Sequence, residues 1–195
     1  MRTTELILML SLAAMPVAAQ QSAPAPTAAS NSASPNAATT LHQSALKFCE
    51  AFNVRQRLEQ NMDKLIDDGK QALVKRNPLI NPQFVDEWAK RMRARVNLDE
   101  FVDATARVYE RYYTSDELDQ LTQVQLAMKR SKLYSLPPDL AQKLKSDAPK
   151  IQNDINAATS TIGSRLSIAV GQEIEKEHPD WVKPVKPVAA SAPKS

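Results

Sequence analysis

The sequence predicts an all-α protein, a compact bundle of about five to six helices with a long C-terminal helix and tails that lack regular structure. Three observations predict it. Only three glycines occur in 195 residues, aromatic residues are sparse, and Ala, Leu, Lys, Gln, Glu and Arg abound, a balance that favours helix over strand. Apolar residues recur at helical spacing through the middle of the chain, and no strand-like alternation of useful length or internal repeat appears. Helix-start signatures, in which Asn or Thr is followed three residues later by Gln or Glu, recur ahead of those apolar runs.

Taken in order, the first helix is expected from Leu41 to about Phe52, with Thr40 as N-cap and Gln43 completing a capping box. Asn53, with Gln56 behind it, caps a second helix carrying Leu58, Met62, Leu65, Ile66 and Leu73, which ends before Pro78. Asn81-Pro82 restarts the chain with a cap and a proline at the first helical position. Phe84, Val85, Trp88, Met92 and Val96 are the apolar stripe of this third helix. Asn97 with Glu100 opens a fourth, with Phe101, Val102, Val108, Tyr109 and Tyr112 inward. Thr114 with Glu117 opens a fifth, continued by Leu118, Leu121, Val124 and Met128. The Ser135–Asp139 stretch then breaks the pattern and starts a short helix through Leu144. Asp147 and Pro149 launch the last helix, reaching about Glu177, with Ile151, Ile155, Ala158, Ile162, Leu166, Ala169 or Val170, and Ile174 inward. Gly163 and Gly171 lie inside it, each costing about 1 kcal/mol relative to Ala, which close approach by a neighbouring helix would explain.

The two ends read differently from the 40–178 domain between them. Arg2, the uncharged apolar run Leu6–Ala14 and the small residues Val17-Ala18-Ala19 form the three parts of a secretory signal peptide, residues 1–19, cleaved between Ala19 and Gln20. A span needs about 20 apolar residues, so the run is too short for a membrane anchor. No Cys follows the small residues to carry a lipid. Residues 20–39 carry no charge and little large apolar surface, the composition of a flexible Ala/Ser/Pro linker. Residues 179–195 form a Pro/Lys/Ala tail expected to be disordered. Together these predict a soluble periplasmic protein that does not span the membrane.

A pI near 9 suggests nucleic acid or an acidic surface as partner. Residues 40–178, however, hold 21 basic and 20 acidic residues, and the excess lies in Lys183, Lys186 and Lys194 of the tail. A balanced core gives no electrostatic footprint for nucleic acid. The densest basic cluster within the core is Lys90, Arg91, Arg93 and Arg95, a candidate anion patch or simply the solvated face of an amphipathic helix. Cys49 is the only cysteine, so no disulfide forms within one chain. It is either a buried, inert thiol or an exposed link between two subunits.

The run from Val108 through Tyr109, Tyr113-Thr114, Ser115-Asp116 and Glu117-Leu118 resembles the bacterial family known as domain of unknown function 2059 (DUF2059), small exported helical proteins. The resemblance extends over residues 43–178 and implies a helical envelope protein of unrecorded activity. The chain departs from the family's usual Ser-Pro-x-Gly turn, having Gln125-Leu126-Ala127-Met128-Lys129-Arg130-Ser131 ahead of Lys132-Leu133. Physically, Tyr109, Tyr113, Thr114, Glu117 and Leu118 read as a cap and hinge rather than an active site.

Catalytic equipment is not recognisable. Two distant histidines, His42 in a first helical turn and His178 in a last one, give with one Cys no zinc-ligand spacing. No nucleophile elbow, phosphate loop or dinucleotide fingerprint occurs. The expectation is therefore no metal, no cofactor and no nucleic acid. An unknown envelope protein is the expected partner, an apolar or lipid-like ligand held between helices the alternative, and a hydrolase site across helices a third. The oligomeric state is left open.

Overall fold

The computed structural model describes residues 35–132 and 134–182, and side chains from Ala38 onward. The signal peptide with Ala19 and Gln20, the linker up to residue 34 and the tail after Val182 lie outside the described residues. Among those described, the chain is all-α. Six helices follow in order: α1 (Pro35–Ala51), α2 (Val54–Arg76), α3 (Pro82–Arg95), α4 (Leu98–Glu110), α5 (Ser115–Lys129) and α6 (Pro138–Glu177). None is long and apolar enough to cross a membrane.

The 40-residue α6 is the spine, about 60 Å at the helical rise. Along it, Leu140, Ile151, Ile155, Ile162, Val170 and Ile174 are buried at spacings of 11, 4, 7, 8 and 4 residues, each a whole number of helical turns to within a fraction, so they fall on one apolar stripe. Its N-terminal half packs against a core built with α1, α4 and α5, where Phe48, Cys49, Val108, Tyr109, Tyr113, Leu118 and Leu121 meet. Its C-terminal half closes a second core with α2 and α3, formed by Ile66, Phe84, Trp88, Ala89, Met92, Val170 and Ile174. Leu58, Phe101 and Ile162 fill the space between.

Helix starts follow the sequence where the cap is local and depart from it elsewhere. Asn81 accepts from the Gln83 amide at 2.8 Å, with Pro82 at the first position. Asn97 accepts from the Asp99 amide, while Glu100 bonds Arg165 of α6 rather than closing a box. Asn53 does not cap: at φ 53° it turns the chain in the left-handed region, and its side chain accepts from Lys129 of α5. Thr40 is not an N-cap either, because α1 already runs from Pro35.

Two larger corrections concern α6. The expected short helix and its restart at Asp147 and Pro149 are one helix, with Pro149 inside it. A proline there removes one backbone bond and crowds the preceding turn, about 3 kcal/mol. The apolar stripe on both sides, Leu140 and Leu144 before it, Ile151 and Ile155 after it, holds the helix together across the defect. Asp147 pairs with Lys150 one turn on. Nor do Gly163 and Gly171 mark close approach: a Cβ at Gly163 meets nothing within 4 Å, and one at Gly171 makes an ordinary 3.9 Å contact with Phe84. The close approach is at Gly69 of α2, where a Cβ would stand 2.6 Å from the Trp88 ring. Leu65 and Met128, expected inward, are exposed.

Candidate functional site

The Tyr109–Leu118 run forms the α4–α5 corner. Thr114 Oγ1 accepts from the Glu117 amide at 3.3 Å, and Glu117 Oε2 accepts from the Thr114 amide at 2.8 Å, a complete capping box. Lys143 of α6 reaches both Glu117 oxygens at 2.8 Å and lies 5.1 Å from the centre of the Tyr113 ring. Burial pushes the Glu117 carboxyl up, but the Lys143 ammonium and the Thr114 amide outweigh it and hold the group below its ordinary range. Tyr109 packs on Phe48 and Tyr113, and Leu118 is fully buried. Burial, with the nearby Asp147 and Glu117 charges, pushes the Tyr113 phenol up to about 12, so it stays protonated at neutral pH. Tyr109, Tyr113 and Leu118 are thus buried, the Tyr113 hydroxyl without a hydrogen-bond partner among the described residues, and Thr114 and Glu117 are engaged by backbone and Lys143. The corner joins three helices, and its unpartnered buried polar group, the Tyr113 hydroxyl, is shut away from solvent.

The basic run of α3 is equally engaged. Arg91 bonds Glu87 at 2.8 Å and reaches Glu177 of α6 at 2.5 Å; Arg95 reaches Glu173 at 2.5 Å. Arg93 meets Asp63 and Asp67 of α2 at 2.8 and 3.3 Å, and Lys90 meets Glu87 at 3.4 Å. These four cations, the candidate anion patch, face carboxylates on α2, α3 and α6. Their arrangement is an ion-pair lattice that clamps α3 to its neighbours, and an incoming anion would have to displace it.

Sequence reasoning missed a node at His42. Asp103 and Glu110, two turns apart on α4, take its two ring nitrogens: Nε2 lies 3.1 Å from Asp103 and Nδ1 2.5 Å from Glu110. Arg107 bonds Asp103 in turn. With both nitrogens facing carboxylates, neither is placed to take a proton from a substrate. The seven-residue spacing of the two acids was visible, but that α1 packs on this face of α4 was not. Cys49, on the same helix, is 1% exposed, and burial together with the Glu110 charge pushes its thiol up to about 12. It is buried, so it does not link subunits in this conformation. Among the described residues, no group of three or more His, Cys, Asp or Glu side chains converges to hold a metal.

A shallow apolar hollow lies where α2 ends and α3 begins. Two adjoining openings, about 230 and 420 Å³, share Val74 and Val85. Pro78, Ile80 and Pro82 wall the first; the stems of Lys70 and Lys75 flank the second. Lys70 bonds Asp86 across the rim at 2.9 Å. Val74 and Leu79 are 46% and 56% exposed here. The chain matches no protein-family model, no curated protein and no solved structure.

Proposed function

We propose that the chain is a bacterial envelope protein, exported and periplasmic once cleaved between Ala19 and Gln20, that works by binding a partner rather than by catalysis. The observation that supports this reading is the shallow apolar hollow between α2 and α3, where Val74 and Leu79 are exposed. Its occupant is an apolar segment of another envelope protein. The resemblance of the Tyr109–Leu118 corner to DUF2059 supports export and helical architecture, and the engagement of His42, Glu117 and the α3 arginines argues against a hydrolase. The apolar lining of the larger opening, Val74 and Val85 between lysine stems, favours one alternative, a small apolar or lipid-like ligand held in the same place.

The test is a photo-reactive amino acid at Val74 in the full chain, expressed in bacteria and fractionated. The expected result is a periplasmic product lacking residues 1–19, with a discrete protein adduct from Val74 and none from the exposed Ile168 of α6. A lipid adduct from Val74 selects the carrier. Equal labelling from both positions, or retention in the cytoplasm, overturns the proposal.

A further inference from the structure

The cations of α3 all meet carboxylates, and those at the end of α5 do not. Lys129, Arg130 and Lys132 are exposed and form no ion pair among the described residues. Two observations fix the path of the chain here. First, α5 ends in a complete left-handed turn: the Ser131 amide bonds to the Met128 carbonyl at 3.0 Å and the Lys132 amide to the Ala127 carbonyl at 2.9 Å, with Ser131 at φ 54°. This holds Arg130 and Lys132 on a defined corner. Second, Lys129 donates to Asn53 Oδ1 at 3.0 Å, which ties the corner to the α1–α2 turn. There the exposed Arg57, whose amide bonds to the Asn53 carbonyl, adds a further cation without an ion pair. Glu50 is the carboxylate nearest this turn in sequence, and it pairs with none of them. In the same stretch of chain, Met128 is 52% and Tyr134 48% exposed.

From this juxtaposition we infer that the end of α5, with Lys129, Arg130, Lys132, Met128 and Tyr134, is a contact surface for an anionic membrane leaflet. Unpaired cations near such a surface gain from its negative potential, each about a factor of five in affinity. The two apolar side chains decide between a bilayer and another polyanion. Tyrosine and a long apolar side chain have a favoured place at the depth of lipid headgroups, whereas a phosphodiester backbone offers a methionine nothing to enter. The protein would rest on the leaflet through one end of the bundle, with no segment crossing it. This contact does not depend on whether the α2–α3 groove holds a partner.

The experiment is co-sedimentation of the purified native chain with vesicles of equal parts phosphatidylglycerol and phosphatidylcholine, against phosphatidylcholine alone. Binding is expected to the anionic vesicles and to fall with added salt. Lys129→Gln, Arg130→Gln and Lys132→Gln together should weaken it on the order of a hundredfold while the thermal unfolding midpoint stays near that of the parent. Met128→Ser with Tyr134→Ser should weaken vesicle binding and leave binding of a thymidine oligonucleotide unchanged. Replacing the tail lysines, Lys183, Lys186 and Lys194, with Gln should leave most of the binding in place. Equal binding to both vesicle types overturns the inference, as does full retention by the triple variant. So do loss on removing the tail lysines alone and tighter binding of the oligonucleotide than of the vesicles.

Discussion

Single residues carry some of the sharpest consequences of the packing. Gly69 and Gly163 both sit inside helices, where alanine is favoured by about 1 kcal/mol. At Gly163 nothing opposes that gain, so Gly163→Ala should stabilise by about 1 kcal/mol in urea unfolding. At Gly69 the added methyl would stand 2.6 Å from the buried Trp88 ring, and the strain of moving a packed indole exceeds the propensity gain. Gly69→Ala should therefore destabilise by roughly 1–2 kcal/mol. The sequence pointed to Gly163 and Gly171 instead, because the reason for a helical glycine lies in what faces it. Cys49 gives a second outcome at this scale: its buried thiol, raised to about 12, should ignore a thiol reagent at neutral pH until the chain unfolds. Rapid labelling of the folded protein would contradict that.

At the scale of elements, the two ends of α5 make opposite demands on their residues. Thr114 closes a reciprocal cap that Lys143 also grips through Glu117, so Thr114→Ala should cost about 1 kcal/mol, and Glu117→Gln less, because an amide still accepts. Ser131 ends the helix at a positive φ that an L-residue holds at about 1 kcal/mol, so Ser131→Gly should raise stability by up to that amount. Thermal or urea unfolding of the three single variants reads both signs. The caps at Asn81, Asn97 and Thr114 were legible because a capping residue and its amide are two or three positions apart. Asn53 and Pro149 were not. Asn53 carries a cap's composition, but the α1–α2 reversal holds it left-handed, and Pro149 carries a helix start, but the stripe Leu140–Ile155 overrides it. Local signals decide where packing is indifferent, and long-range burial decides the rest.

For the whole molecule, the ion-pair lattice between α3 and α6 sets the response to acid. The Arg91 and Arg95 guanidiniums hold the carboxyls of Glu87, Glu173 and Glu177 below their ordinary value of 4.5. Groups with a depressed folded pKa stabilise the folded state above the unfolded value, and that contribution is lost as pH falls through the folded one. Urea stability should thus be flat from neutrality to about pH 5 and decline below it. Arg91→Gln should lower the plateau slightly and shallow the decline, with high salt doing the same to the parent. The helical class, a count of about six helices and most of the inward stripes were readable from period and composition, apart from the break expected at Asp147 and Pro149; the pairing of helices was not, and with it went the His42 node and the α2–α3 hollow. Both arise only when distant segments meet. The long α6 has one more consequence. A single rod that forms a wall of every core leaves neither half of the molecule a complete interior of its own, so the two ends should melt together, and hydrogen exchange at Ile151 and at Ile174 should report the same opening.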